Sequence, residues 1–267
     1  MDILLDSFFQ RALAGGVLIG LTAPLIGIFL VLRRLSMIGD TLSHVSIAGV
    51  ALGMLINVYP LGMGLVFALA ASFAIEKLRK EYKTYAELSI AIIMSAGIAL
   101  ATLFFSLGKG FNISVSGYLF GNIYTLDRLD LILVGAVTVL TVLFVTLNYK
   151  EMFLLFFDEE AAAVSGLPIR FYNVAVTMLT ALVISVAIKI VGALLVSSLV
   201  TIPVAASLRL AKSFKHSVIL AVVFSELAVV LGLVLAALFN LAPGASVVLL
   251  LIVFLLGTFL IKGKIRV

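Results

Sequence analysis

Two side chains inside a long apolar stretch have the types and the spacing for metal chemistry. Asp40 and His44 lie four residues apart in Arg33-Arg34-Leu-Ser-Met-Ile-Gly39-Asp40-Thr-Leu-Ser43-His44-Val-Ser-Ile-Ala-Gly49. On a helix that spacing stacks a carboxylate and an imidazole one turn apart on the same face. Ionisable groups inside a membrane span are costly unless they have a partner. A divalent metal cation is the natural partner for this pair. Glu226 is the third candidate. Of the 13 acids only Asp40 and Glu226 fall within apolar spans, and of the 2 histidines only His44 is deep, since His216 stands beside Lys215 at a boundary.

Helix rise converts these positions to depth. From Arg34 to His44 is about 15 Å, and from Lys215 to Glu226 about 16 Å. Both distances reach the middle of a hydrocarbon core about 30 Å thick. Asp40, His44 and Glu226 are therefore expected to converge on one ion. Two oxygens and one nitrogen, without sulfur, suit Zn2+ or Mn2+, with Fe2+ hard to distinguish. The imidazole must be neutral to bind metal, so binding should weaken at acidic pH. A proton relay built on the same three groups, in an ion-coupled carrier, is the alternative. An intramembrane metalloenzyme would need a second deep imidazole, and the sequence has no His-Glu-x-x-His spacing.

The elements that must hold these groups are membrane helices. The chain is 64% hydrophobic and 12% charged, with mean hydropathy +1.33, whereas a soluble domain carries about 25% charged residues. Long apolar runs without period-two alternation exclude a membrane barrel. The chain is thus expected to be an all-α integral membrane protein forming one domain, 1–267. Nine spans are predicted, at 8–32, 38–58, 60–76, 86–107, 129–148, 171–188, 190–208, 216–239 and 243–261. Eight, with one of the sixth and seventh re-entrant, is the alternative. Lys189 is the only charge between Arg170 and Arg209, and a tight turn is placed there.

Charge sets the expected orientation. With the N-terminus outside and the C-terminus inside, every Lys and Arg except Arg11, Lys109, Arg128 and Lys189 falls on the inner side. The net charge of +5 is then a membrane signal rather than a nucleic-acid one. Acids at Asp2 and Asp6 argue against a cleavable leader. The absence of cysteine excludes disulfides and thiolate metal sites.

Two loops stand out. The glycine-punctuated segment from Gly108 to Arg128 reads either as an ordinary interfacial turn or as part of an outer mouth dipping into the membrane. On the inner side, Asp158 can cap a short helix with Glu159 and Glu160 in its first turn, Gly166 can end it, and Pro168 prevents continuation. It reads either as a solvated surface helix or as a handle for a cytoplasmic partner. Gly108-Lys109-Gly110 lacks P-loop spacing, so the chain is not expected to be an enzyme that hydrolyses ATP.

These segments resemble the membrane subunits of the zinc/manganese-type ABC importers. The resemblance rests on Arg33 to Gly53, Tyr118-Leu-Phe-Gly121-Asn122, Phe157-Asp158-Glu159-Glu160-Ala with Gly166, Val191-Gly192-Ala-Leu-Leu-Val with Pro203, and Pro243-Gly244-Ala, in family order. It implies a transported metal with no permanently bound cofactor, and a homodimer in a prokaryotic cell (inner) membrane. It also implies cytoplasmic ATP-binding subunits and an extracytoplasmic metal-binding protein as partners, with no nucleic acid. Asp40 and His44 match the family's ion-binding pair. Glu226 carries over less directly, because that span varies within the family. Asp158, Glu159, Glu160 and Gly166 become the ATPase-coupling helix. Asn122 stands where many relatives have aspartate, which removes a charge there.

Overall fold

A computed structural model describes residues 6–82, 85–108, 117–122 and 126–263. The helices are α1 (Ser7–Leu32), α2 (Met37–Leu55), α3 (Pro60–Glu81), α4 (Ala86–Leu107), α5 (Arg128–Leu147), α6 (Tyr149–Phe157), α7 (Glu159–Val164), α8 (Ile169–Val191), α9 (Val196–Leu210), α10 (Phe214–Phe239) and α11 (Pro243–Gly263). Among the described residues there is no strand. Eight helices are long and apolar enough to cross a membrane: α1 to α5, α8, α10 and α11. Much of the predicted loop from Gly108 to Arg128 lies outside the described residues.

Eight helices reach spanning length, and the seventh predicted span is a shorter apolar helix, α9, rather than a full-length or re-entrant one. α9 has 15 residues, about 22 Å, too short to cross a core of about 30 Å alone. It still carries the chain between the two ends of the bundle. The turn before it packs on Leu119 to Gly121, whereas Phe214, just after it, packs on Phe29, Tyr149, Phe153 and Phe157 at the other end.

The turn is not at Lys189, as expected from its lone charge. Lys189 lies in the last turn of α8, and the break follows at Gly192 to Leu195. Lys189 can stay helical because its ammonium pairs with the Asp130 carboxylate of α5. Asp130 is 1% exposed and also accepts a hydrogen bond of 2.6 Å from the Tyr59 hydroxyl and one of 2.8 Å from the Asp127 backbone N–H. Burial, with the Asp130 and Asp127 carboxylates adding to it, pushes the Tyr118 phenol up to about 12. Burial and the Asp130 contact push the Tyr59 phenol up as well, so it remains a donor at physiological pH. Asp130→Ala should destabilise the chain by about 3–5 kcal/mol, because it strands the Lys189 ammonium. A thermal melt in detergent checks this, and adding Lys189→Met should restore part of the loss.

Three segments far apart in sequence meet at the α8–α9 break. Gly192 has φ +90° and Gly121 has φ +82°. Ala193 and Leu194 donate backbone N–H bonds to the carbonyls of Tyr118 and Leu119, and Asn122 donates to that of Lys189, at 2.9, 3.2 and 3.1 Å. Gly244, at the start of α11, lies so close to the Val191 carbonyl that a Cβ would stand 1.8 Å from that oxygen. The irregular backbone of the break thus has its polar groups satisfied by protein, the condition under which such backbone persists between membrane helices.

Candidate metal site and docking helix

α2, which carries Asp40 and His44, is a largely enclosed helix. It packs against α3 and α4 on one side and α8 and α9 on the other. A Cβ at Gly49 would come within 2.5 Å of the Met63 carbonyl of α3, so small residues let the two helices approach closely. Ser46 donates to, or accepts from, Ser185 of α8 at 3.2 Å. Gly39 lies 3.6 Å, measured from its would-be Cβ, from Ser197 Cβ in the first turn of α9.

From Ile38 to Ala51 every residue of α2 is buried except Asp40 and His44, which are half-buried. The two ionisable residues are therefore the only partly accessible ones in an otherwise covered stretch of helix. Ser197 donates a long hydrogen bond of 3.4 Å to Asp40 Oδ1, so the carboxylate lies beside the N-terminal turn of α9. That end of a helix favours negative charge. No local signal in the sequence singles out Ser197 as the neighbour of Asp40.

Glu226 is not brought to these residues. Its carboxylate lies against Gly20 of α1, with a would-be Gly20 Cβ 3.2 Å from Oε2 and 3.3 Å from Oε1. Gly20 is about 20 Å of helix from Arg33. The direction differs: Glu226 turns to α1, whereas Asp40 meets α9. Among the described residues no group of three His, Asp or Glu side chains could hold a metal ion. A two-donor set leaves the other coordination positions of Zn2+ or Mn2+ to water or to another chain.

At the other candidate site, α7 is built as the sequence anticipates. Asp158 accepts from the Ala161 N–H at 2.9 Å, Glu159 and Glu160 occupy the first turn, and Gly166 follows with φ +80°. The structure adds a latch. Arg33, between α1 and α2, pairs with Glu159 at 2.7 Å, donates to Asn173 of α8, and lies 5.2 Å from the centroid of the Phe156 ring. An arginine in front of an apolar helix reads as a boundary charge, and only the fold reveals these partners.

Comparison with known proteins agrees with this architecture. The profile described as the ABC 3 transport family matches residues 5–262. The chain is 32% identical to the high-affinity zinc uptake system membrane protein ZnuB of Haemophilus influenzae, over 91% of this chain and 93% of the relative. It is 31% identical to the manganese import system permease protein ScaB of Streptococcus gordonii, over 97% and 93%. The solved structure of PsaBC from Streptococcus pneumoniae in complex with Fab superposes with a TM-score of 0.85 at 29% identity, covering 97% of this chain and 93% of that one.

Proposed function

The chain belongs to the ABC 3 transport family, and on that footing we propose that it is the permease subunit of an ATP-driven importer of Zn2+ or Mn2+ in a prokaryotic cell membrane. The relatives named for zinc uptake and manganese import support both ions. The observation that carries the metal assignment is the partial accessibility of Asp40 and His44 alone between Ile38 and Ala51. The permease binds and releases the ion, and hydrolysis of ATP belongs to a separate cytoplasmic subunit.

The basic end, with Arg33, Arg79 and Lys150, faces the cytoplasm by the positive-inside rule, and the Asp130 end faces outward. An extracytoplasmic metal-binding protein delivers the ion at that outer end, and two copies of the chain form the working dimer. The ATPase docks on α7 through Asp158, Glu159, Glu160 and the turn at Gly166. Arg33 then joins the docking helix to the segment that opens α2, so movement of α7 bears on the metal pair. The position of Glu226 on Gly20 supports the importer over an ion-coupled carrier, whose relay would need Glu226 beside His44.

Reconstitution of the chain with its ATPase and binding protein in proteoliposomes tests the assignment. Uptake of Zn2+ or Mn2+ should require ATP and no ion gradient. Arg33→Ala removes a charge-assisted contact worth about 1.5–3 kcal/mol, and should lower metal carried per ATP by about tenfold while hydrolysis continues. Gradient-driven uptake without ATP would reject the importer, and unchanged stoichiometry in the variant would reject the latch.

A further inference from the structure

The cytoplasmic-side end of α3 and the start of α8 enclose a cleft that neither the metal pair nor the docking helix uses. Its volume is about 810 Å³, and its walls include Lys77, Lys80 and Arg170. All three cations are exposed. None forms an ion pair with a carboxylate among the described residues. Glu76 also lines the cleft, but it is engaged by Arg79 at 2.7 Å and by the Thr177 hydroxyl at 3.1 Å. Glu81 remains as the opposing charge, so the cleft presents two net positive charges.

The cleft sits where two spans end. Lys77 and Lys80 are in the last turns of α3, and Arg170 is in the first turn of α8. The same walls carry Phe73 and Phe171, 53% and 58% exposed. Cations at the level of a membrane surface, next to exposed aromatic rings on the membrane side, match a lipid with an anionic headgroup and apolar tails. A soluble anion would satisfy the cations but make no use of the rings.

We propose that this cleft binds one anionic phospholipid, its phosphate held by Lys77, Lys80 and Arg170 and its acyl chains lying along Phe73 and Phe171. The site lies against the α8 segment that holds Asn173, the partner of Arg33, so an occupied cleft braces α8 beside the latch. The proposal concerns lipid binding and stands whichever metal is carried.

Native mass spectrometry of the full chain, extracted in mild detergent and exchanged into defined lipid, tests it. Phosphatidylglycerol should be retained about 30-fold better than phosphatidylcholine, two net cations contributing about a factor of five to six each. The variant Lys77→Gln/Lys80→Gln/Arg170→Gln should lose that preference with its thermal midpoint in phosphatidylcholine unchanged. Lys212→Gln/Lys215→Gln, which removes two cations elsewhere on the chain, should keep it. Excess inorganic phosphate should not displace the lipid. Retention of the preference by the triple variant, equal loss in the Lys212/Lys215 control, or displacement by phosphate would each overturn the site. So would loss of ATPase co-purification in the triple variant with phosphatidylglycerol binding intact, since the cleft would then be a protein surface.

Discussion

Asp40→Ala and His44→Ala are each expected to lower metal uptake by about 100-fold or more, at or beyond the upper end of what loss of a supporting contact costs a metal site. On the proposed function, each variant deletes one of two donors and leaves an incomplete site. Folding should survive. Both residues are half-buried, and the one side-chain hydrogen bond Asp40 makes among the described residues, to Ser197, is long at 3.4 Å. Asp40→Asn keeps the shape and removes the charge, so it should behave like the alanine variant in uptake and like wild type in stability. The measurement is radiometal uptake into proteoliposomes holding the chain, its ATPase and its binding protein, with size-exclusion and melting profiles in parallel. Near-normal uptake in both alanine variants would remove the pair from the transport path. Glu226→Gln is the informative companion. Its position on Gly20 leads us to expect uptake within a few-fold of wild type. A loss equal to that of His44→Ala would mean that α10 turns Glu226 toward the pair in another conformation.

The second large effect is structural. Gly192→Ala should abolish recovery of folded protein, and Gly244→Ala should come close to it. At Gly192 the backbone has φ +90°, and an added Cβ would lie 2.5 Å from Gly121 N and from the Leu119 carbonyl oxygen. Such backbone strain costs about 1–3 kcal/mol, and forcing atoms into a packed contact costs a similar amount. At Gly244 the backbone is helical, but the Val191 carbonyl occupies the space of a side chain. The contrast is Gly135 in α5, where nothing lies within 4 Å of an added Cβ. Gly135→Ala should be neutral or mildly stabilising, by up to about 1 kcal/mol. Yield of monodisperse protein and thermal midpoint in detergent decide the matter. A well-folded Gly192→Ala variant would show that the break of α8 is not held by this contact.

These positions also show how far local reading reaches. Three of the segments that carry the family resemblance, around Gly121, Gly192 and Gly244, are separate in sequence yet form one contact. Nothing in their spacing indicates that they meet, since each is a reasonable turn or helix start alone. Lys189 misplaces a turn because a lone charge in an apolar run suggests an exit from the membrane. Its real partner, Asp130, lies 59 positions away. The clue available was that a lysine within a span needs an acid at matching depth, and Asp130 satisfies that condition.

By itself the sequence determined the class, the number of long spans to within one and the capped helix at Asp158. All of these follow from local quantities: hydropathy over a window, rise per residue, and side chains that satisfy nearby backbone. Tertiary structure alone decided direction. Helix rise sets the spacing of Glu226 and Asp40 along their helices but not which neighbour each faces, and packing turned one toward α1 and the other toward Ser197 of α9. The same holds for Arg33, whose charge marks a boundary and whose function as a tie to Glu159 and Asn173 exists only because α1, α7 and α8 end at one place.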